Sequence, residues 1–437
     1  MSWFSKRQAL TSINHYSRKD TNHHIKGSDT AVNRRTLVVV PFSVVIDDRL
    51  GAGRLDTFTT LTDTELDLAT SANWDTVTPT DYTVAATRAG KDFYIYACIQ
   101  TGTVPKILLS ATATAPSGYT TANSRKIGGF HCLAYVTPPT WIADTVTITN
   151  YVVNPTTPHA NKYIYKCTAR AGDYKTDATT EPTWPTTPGE TVVDDQITWT
   201  CLANAPTNLP AGHTFELFTM GDIVPRSVWD QLFRPICSPE GMVWTGLSDL
   251  DDYGGAPVWQ DIYLGGTNTG NTSVHAAALK GGLTWPNTVV YGHGFGKRLL
   301  KFREFMAGAL GCNIGTTIAG AASPGYAYAT IDSAGRAMLS YCGLWGSTGI
   351  SAQWLDDTQP LVLGIPDTGE LSDVFYDTSY GKMQGQGTNG STFGRMLGGG
   401  WYGGLAANNG PHCSSVLHIS YTGSIAGERF GCDPYFH

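Results

Sequence analysis

The sequence predicts a mainly β chain with few helices, on three observations. Charged residues make up only 15% of 437, while glycine (49), tryptophan (12) and tyrosine (21) are abundant. That balance disfavours disorder, coiled coils and long helices. Short β-branched and aromatic runs, such as Leu37 to Ile46, Phe93 to Cys98 and Lys106 to Ser110, recur between turn clusters such as Ala115-Pro116-Ser117-Gly118. A single stretch has a convincing amphipathic helical period. It runs from Lys297 to Gly311, with Leu299, Phe302, Met306 and Ala309/Leu310 on one face and Gly311 placed to end it.

Length and charge bound the function classes. The chain is long enough for roughly two to four domains, each with its own core. A formal charge of −7 argues against nucleic-acid binding, which needs a basic surface. No run approaches the ~18 apolar residues of a membrane-spanning helix, so no membrane insertion is expected. The opening MSWFSKRQAL leads into no apolar segment of a secretory signal. Nine cysteines carry no CxxC pair and no zinc spacing, so most are expected as buried thiols. Cys167 and Cys201 are the pair expected to lie close; their disulfide state is open.

Taken in order, the chain divides into four parts. Residues 1–35 are basic, with Lys6, Arg7, Arg18, Lys19, Lys26, Arg34 and Arg35, and read as an attachment arm that orders on a partner. Residues 36–149 read as a small N-terminal β domain. Residues 150–205 are dense in Thr and Pro and read as a compact inserted β module, similar to chitin-type carbohydrate-binding modules. Tyr165, Trp184 and Trp199 are its candidate glycan-stacking rings; the alternative is that they form the module's own core. Residues 206–437 are rich in Trp and Gly. Within them Pro225 to Pro235 reads as a short helix stopped by its second proline, Val258 to Leu264 as a strand, and Gly292 to Gly296 as a loop.

No GxSxG elbow, HExxH, EF-hand loop or Walker A sequence occurs. No cofactor is expected. Asp249-Leu250-Asp251-Asp252 and Asp356-Asp357 offer hard oxygen ligands for Ca²⁺, against the alternative of solvated turn acids. The C-terminus opens on Gly398-Gly399-Gly400-Trp401 and closes on Gly431-Cys432-Asp433-Pro434. Between these ends runs a Tyr-, Asn-, His- and Ser-bearing stretch with no sustained period. It reads as irregular backbone displayed on a rigid scaffold.

Six stretches in order resemble one family: SRKIGGFHC (124–132), SVWDQLFRP with SPEGMV and WQDIYL (227–264), GKRLL with FREFMAGALG (296–311), DSAGRAMLS (332–340), TGISAQWL (348–355) and the GGGW to GCDP terminus (398–434). Together they resemble phage receptor-binding proteins of the major tropism determinant type, targets of diversity-generating retroelements. The resemblance implies a C-type-lectin-like C-terminal domain, related to formylglycine-generating enzymes, at the tip of a tail fibre. It implies a homotrimer, contacts to other virion tail proteins through the N-terminal region, and a host surface protein or glycan as receptor. The protein would be made in the host cytoplasm and reside in the virion. The variable stretch of the family matches 402–421, which makes Tyr402, Leu405, Asn408, Asn409, His412, Ser415, Leu417, His418, Ser420 and Tyr421 the receptor-facing candidates. Cys413 has no second cysteine near it, which weighs against the oxidising enzyme branch of the fold. The rival reading is a structural or decoration protein of the virion with no direct host contact.

Overall fold

The computed structural model describes residues 25–27, 35–48, 54–60, 62–99, 104–134, 141–147, 152–156, 163–187, 189–203, 221–245, 258–267, 270–318, 332, 338–340, 342–360, 370–371, 383–384, 393–399, 414–417 and 429–436. Most regular structure among them is strand. Helices are α1 (Ala85–Arg88), α2 (Trp285–His293) and α3 (Phe302–Ala309). The mainly β expectation holds.

The N-terminal part begins with a strand at Ile25–Gly27, inside the basic segment, paired antiparallel with Thr36–Val39 and so joined to Thr64–Asp67. The apolar run after Leu37 does not form one strand. It breaks around Pro41, which has no N–H to donate to a ladder, and resumes as Ser43–Asp48 paired with Arg54–Thr59. Leu37, Val39, Phe42 and Ile46 pack into a shared core with Phe58, Leu66, Trp74, Phe93, Ile95 and Phe130.

The central sheet has the order Trp229–Asp230, Ser124–His131, Asp92–Cys98, Lys106–Ser110, all antiparallel. Alternate residues of a strand face opposite sides. Phe93, Ile95 and Ala97 enter the N-terminal core. Tyr94, Tyr96 and Cys98 instead pack with Trp229, Phe233, Met242, Trp244, Trp259 and Cys432 of the C-terminal half. Burial on both faces explains why Asp92–Cys98 reads as an unbroken apolar run. The paired glycines of SRKIGGFHC have a steric reason. A Cβ at Gly129 would stand 2.6 Å from the Phe93 carbonyl oxygen and 2.7 Å from the Trp229 ring.

That close approach also overturns the helix expected over Pro225 to Pro235. The segment is a short 3-10 turn, Pro225–Ser227, followed by strands Trp229–Asp230 and Phe233–Pro235. Trp229 pairs with Gly129, and the Asp230 carboxylate accepts the N–H groups of Leu232 and Phe233, turning the chain between its two strands. Tertiary pairing outweighs the local helical pattern here.

The segment read as an inserted module forms a four-stranded sheet ordered Thr191–Asp194, Ile197–Ala203, Tyr163–Arg170, Val152–Val153. Its core comprises Val153, Tyr165, Cys167, Ile197, Trp199 and Cys201 together with Trp141, which precedes the expected start at 150. Asp194 is buried at its centre. It accepts both indole N–H groups, from Trp141 at 2.7 Å and Trp199 at 2.9 Å, and the backbone N–H of Asp177. Cys167 and Cys201 lie on adjacent strands as free thiols.

The C-terminal part is built on a sheet ordered Met242–Trp244, Trp259–Asp261, Phe430–Cys432, Arg298–Leu299. The amphipathic stretch from Lys297 is therefore helical only over Phe302–Ala309, because Arg298–Leu299 is drawn into this sheet beside Phe430 and Gly431. Glu304 secures the junction: its carboxylate accepts the N–H of Lys301 at 2.8 Å and both guanidinium nitrogens of Arg298 at 2.7 and 2.8 Å. Helix α2 was not foreseen, although its signals were present. Thr284 caps it and Pro286 stands in its first turn.

Lys297 (2% exposed) pairs with Asp261 (0%) at 2.6 Å, and also donates to Asn271 and Thr272 at 2.8 Å. Removing one partner of a buried ion pair strands the other charge, at a cost of about 3–5 kcal/mol. Lys297→Met is expected to lower the thermal unfolding midpoint sharply, and Lys297→Met with Asp261→Leu to regain much of the loss, both read by differential scanning calorimetry.

Candidate functional site

The region that positions the expected recognition stretch is a five-stranded sheet. Its order is Gln353–Pro360, Phe393–Gly398, Ser414–Leu417, Met383–Gln384, Glu370–Leu371. Phe393–Gly398 and Ser414–Leu417 are antiparallel, with Gly398 opposite Ser414 and Arg395 opposite Leu417. The residues between them therefore leave and re-enter one sheet at neighbouring points. Such a closed connection on paired strands is a suitable mount for irregular backbone.

The exit point is fixed by glycines. Gly399 has φ +90°, a backbone conformation that favours glycine. A Cβ there would collide with the Ser347 carbonyl oxygen and stand 3.1 Å from the Phe305 ring. At Gly398 a Cβ would lie 2.9 Å from the same ring, on α3. The Gly399 carbonyl accepts the N–H of Gly349 at 3.0 Å. Thus the first two glycines of GGGW let the strand pass over α3 and the 347–349 turn.

The start of the last core strand is fixed by Arg429, which sequence reasoning did not single out. Its guanidinium is buried (1% exposed) and donates to the carbonyls of Asp261, Ile262 and Trp345 and to the Gln353 side chain. Burial pushes its pKa down to about 10, so it remains a cation at neutral pH. Phe430, Gly431 and Cys432 follow it into the core sheet, fully covered. The only sequence signal was a charged residue set directly before an apolar strand.

Of the ten receptor-facing candidates, Ser415 and Leu417 fall on Ser414–Leu417, in register with Leu397 and Arg395. Tyr402, Leu405, Asn408, Asn409, His412, His418, Ser420 and Tyr421 lie outside the described residues, as does Cys413. By chain order five of these eight sit between the paired strands and three follow the second. For the inserted module the structure corrects two glycan candidates. Tyr165 and Trp199 are 0% exposed, so neither ring has a free face for a sugar. Trp184 is half-buried, 4.2 Å from the Tyr165 ring, with its indole N–H donated to Glu181. Tyr174, not foreseen, is 46% exposed, its ring 4.5 Å from the Arg170 guanidinium.

Of the Ca²⁺ candidates, 249–252 lie outside the described residues, and the Asp357 carboxylate instead accepts the N–H of Phe302 at the start of α3. Among the described residues no cluster of His, Cys, Asp and Glu is arranged to hold a metal ion, and no helix is long and apolar enough to cross a membrane.

Gly399→Ala is expected to destabilise the exit of the 400–413 connection by about 1–3 kcal/mol, the usual range for a strained backbone. Limited proteolysis should then cut within that connection faster than in the unsubstituted chain.

Comparison with known proteins yields one family and one group of structures. Residues 58–157 match the family model described as the Mtd second domain. The fold is similar to that of the Major Tropism Determinant M1 variant, with a TM-score of 0.53 and 19% identity over 97% of this chain and 86% of that one. The U1 variant gives the same TM-score and coverage at 20% identity, and the I1 variant a TM-score of 0.52. No curated protein matches the chain. The chain thus has the fold of the Major Tropism Determinant structures, with an Mtd-type second domain at residues 58–157.

Proposed function

We propose that this chain is a phage tail receptor-binding protein that recognises a host cell-surface receptor through residues 402–421. The observation that carries the reading is the mount of that segment. Its two flanks, Leu397 to Gly399 and Arg429 to Cys432, are buried framework, and the strands Phe393–Gly398 and Ser414–Leu417 pair directly. The fold shared with the Major Tropism Determinant variants supports the same reading. The mechanism is binding rather than catalysis: a rigid scaffold presents Tyr, Asn and His side chains that give contact area and adaptable hydrogen bonds. A homotrimer on the virion would multiply modest single contacts through avidity.

On this reading residues 1–35 and the β domain of 36–149 attach the protein to the tail, 150–205 is an added module, and 206–437 carries recognition. Among the described residues, Trp184 and Tyr174 keep solvent contact and are where the module would offer a second adhesive surface.

The test compares host-cell binding by the purified chain with a variant carrying Tyr402→Ala, Asn408→Ala, His418→Ala and Tyr421→Ala, its thermal unfolding confirmed unchanged. Loss of at least tenfold in apparent affinity is expected, on the order of 1.4 kcal/mol. Undiminished binding would move recognition to the inserted module. No binding by either form would favour a structural virion part.

A further inference from the structure

The C-terminal strand Pro434–Phe436 pairs with Phe233–Pro235, with Pro235 opposite Pro434. The N–H of Ile236 continues the ladder to the Asp433 carbonyl at 3.0 Å. Past the prolines the chain bends at Ile236 and Cys237, while Cys432 sits on the core strand paired with Trp259. The Cys237 N–H donates to the Cys432 sulfur at 3.2 Å, so that sulfur lies directly against the Cys237 backbone. Both are free thiols here, Cys432 buried and Cys237 partly exposed.

We propose that Cys237 and Cys432 are the site of a redox-formed disulfide that locks the C-terminal strand pair to the core sheet. The oxidant is a small-molecule disulfide. The partly exposed Cys237 exchanges with it first, forming a mixed disulfide and releasing one small thiol. The Cys432 thiolate then attacks the Cys237 sulfur, forming the protein S–S bond and expelling the second small thiol. Two protein thiols are oxidised and one small disulfide is reduced to two thiols. Access selects Cys237 for the first exchange, and the electrostatics favour Cys432 as the attacking thiolate of the second. The hydrogen bond from Cys237 holds Cys432 below the ordinary thiol range, with the N–H groups of Cys237 and Ile236 and the charge of Lys297 also lowering it. The same hydrogen bond, with burial, raises Cys237.

The bridge would tie Phe430–Cys432, the strand that follows Arg429, to the segment entering Met242–Trp244. It would close a loop spanning 195 positions, long enough for a large constraint on the unfolded chain. A chain folded in a reducing compartment would present the open thiols, and the clamp would close on exposure to oxidising surroundings. The bridge involves no residue of 402–421 and stands apart from receptor binding.

The experiment incubates the reduced, desalted full chain with oxidised glutathione. Titratable thiols under denaturing conditions should fall by two, a peptide map should recover the 237–432 linked peptide, and no glutathione should stay attached. The thermal unfolding midpoint should rise by roughly 5 °C. Cys237→Ser, at a partly exposed site the fold tolerates, should abolish both the linkage and the rise. Cys432→Ser should leave glutathione trapped on Cys237. An unchanged thiol count, a persistent glutathione adduct on the unsubstituted chain, or a bridge to another cysteine would each overturn the proposal.

Discussion

The C-terminal half depends on one buried polar junction around Asp261. Its side chain meets the Lys297 ammonium and the Thr272 hydroxyl, while its carbonyl accepts from the Arg429 guanidinium. These groups come from distant parts of the chain: the Trp259–Asp261 strand, the turn before Arg298–Leu299, the 271–273 loop and the start of the last core strand. Each cation is stripped of water, so each is tolerable only while its partners stay in place. The junction therefore demands one arrangement of all four segments. Arg429 extends that demand to Trp345 and Gln353, and so to the sheet that carries the 400–413 connection.

That constraint separates stability from recognition. The flanks of the proposed recognition stretch, at Leu397 to Gly399 and Arg429 to Cys432, are buried and committed to packing. The central sheet does similar work for the molecule as a whole. Phe93, Ile95 and Ala97 serve the N-terminal core, and Tyr94, Tyr96 and Cys98 serve the tryptophan-rich C-terminal one. A scaffold fixed at this many points can carry a patch that is selected for contact rather than for packing.

Much of this was legible in the sequence where local chemistry and tertiary context agree. The strands at Phe93 to Cys98 and Lys106 to Ser110 were readable because β-branched and aromatic runs stand between clear turns. The GGGW opening was readable as framework, and Gly398 and Gly399 show why glycine is required. Legibility failed where a partner far along the chain decides the outcome. Pro225 to Pro235 has a helical pattern but pairs across Gly128 and Gly129. Lys297 to Leu299 extends an amphipathic period but is claimed by Asp261 and by Phe430–Cys432. Tyr165 and Trp199 could have been exposed rings or core on sequence grounds. The buried Asp194, which binds Trp199 and Trp141, decides for core. Nothing local marks Arg429 as the residue that joins three backbone carbonyls.

The central claim is that residues 402–413 and 418–421 carry recognition without carrying the fold. The most direct measurement is the thermal unfolding of a chain in which Tyr402, Leu405, Asn408, Asn409, His412, His418, Ser420 and Tyr421 are all alanine and the strand Ser414–Leu417 is left intact. The account predicts a cooperative transition within a few degrees of the unsubstituted chain. A collapse of the transition, or loss of the folded chain altogether, would show that these residues hold the structure together and would contradict it.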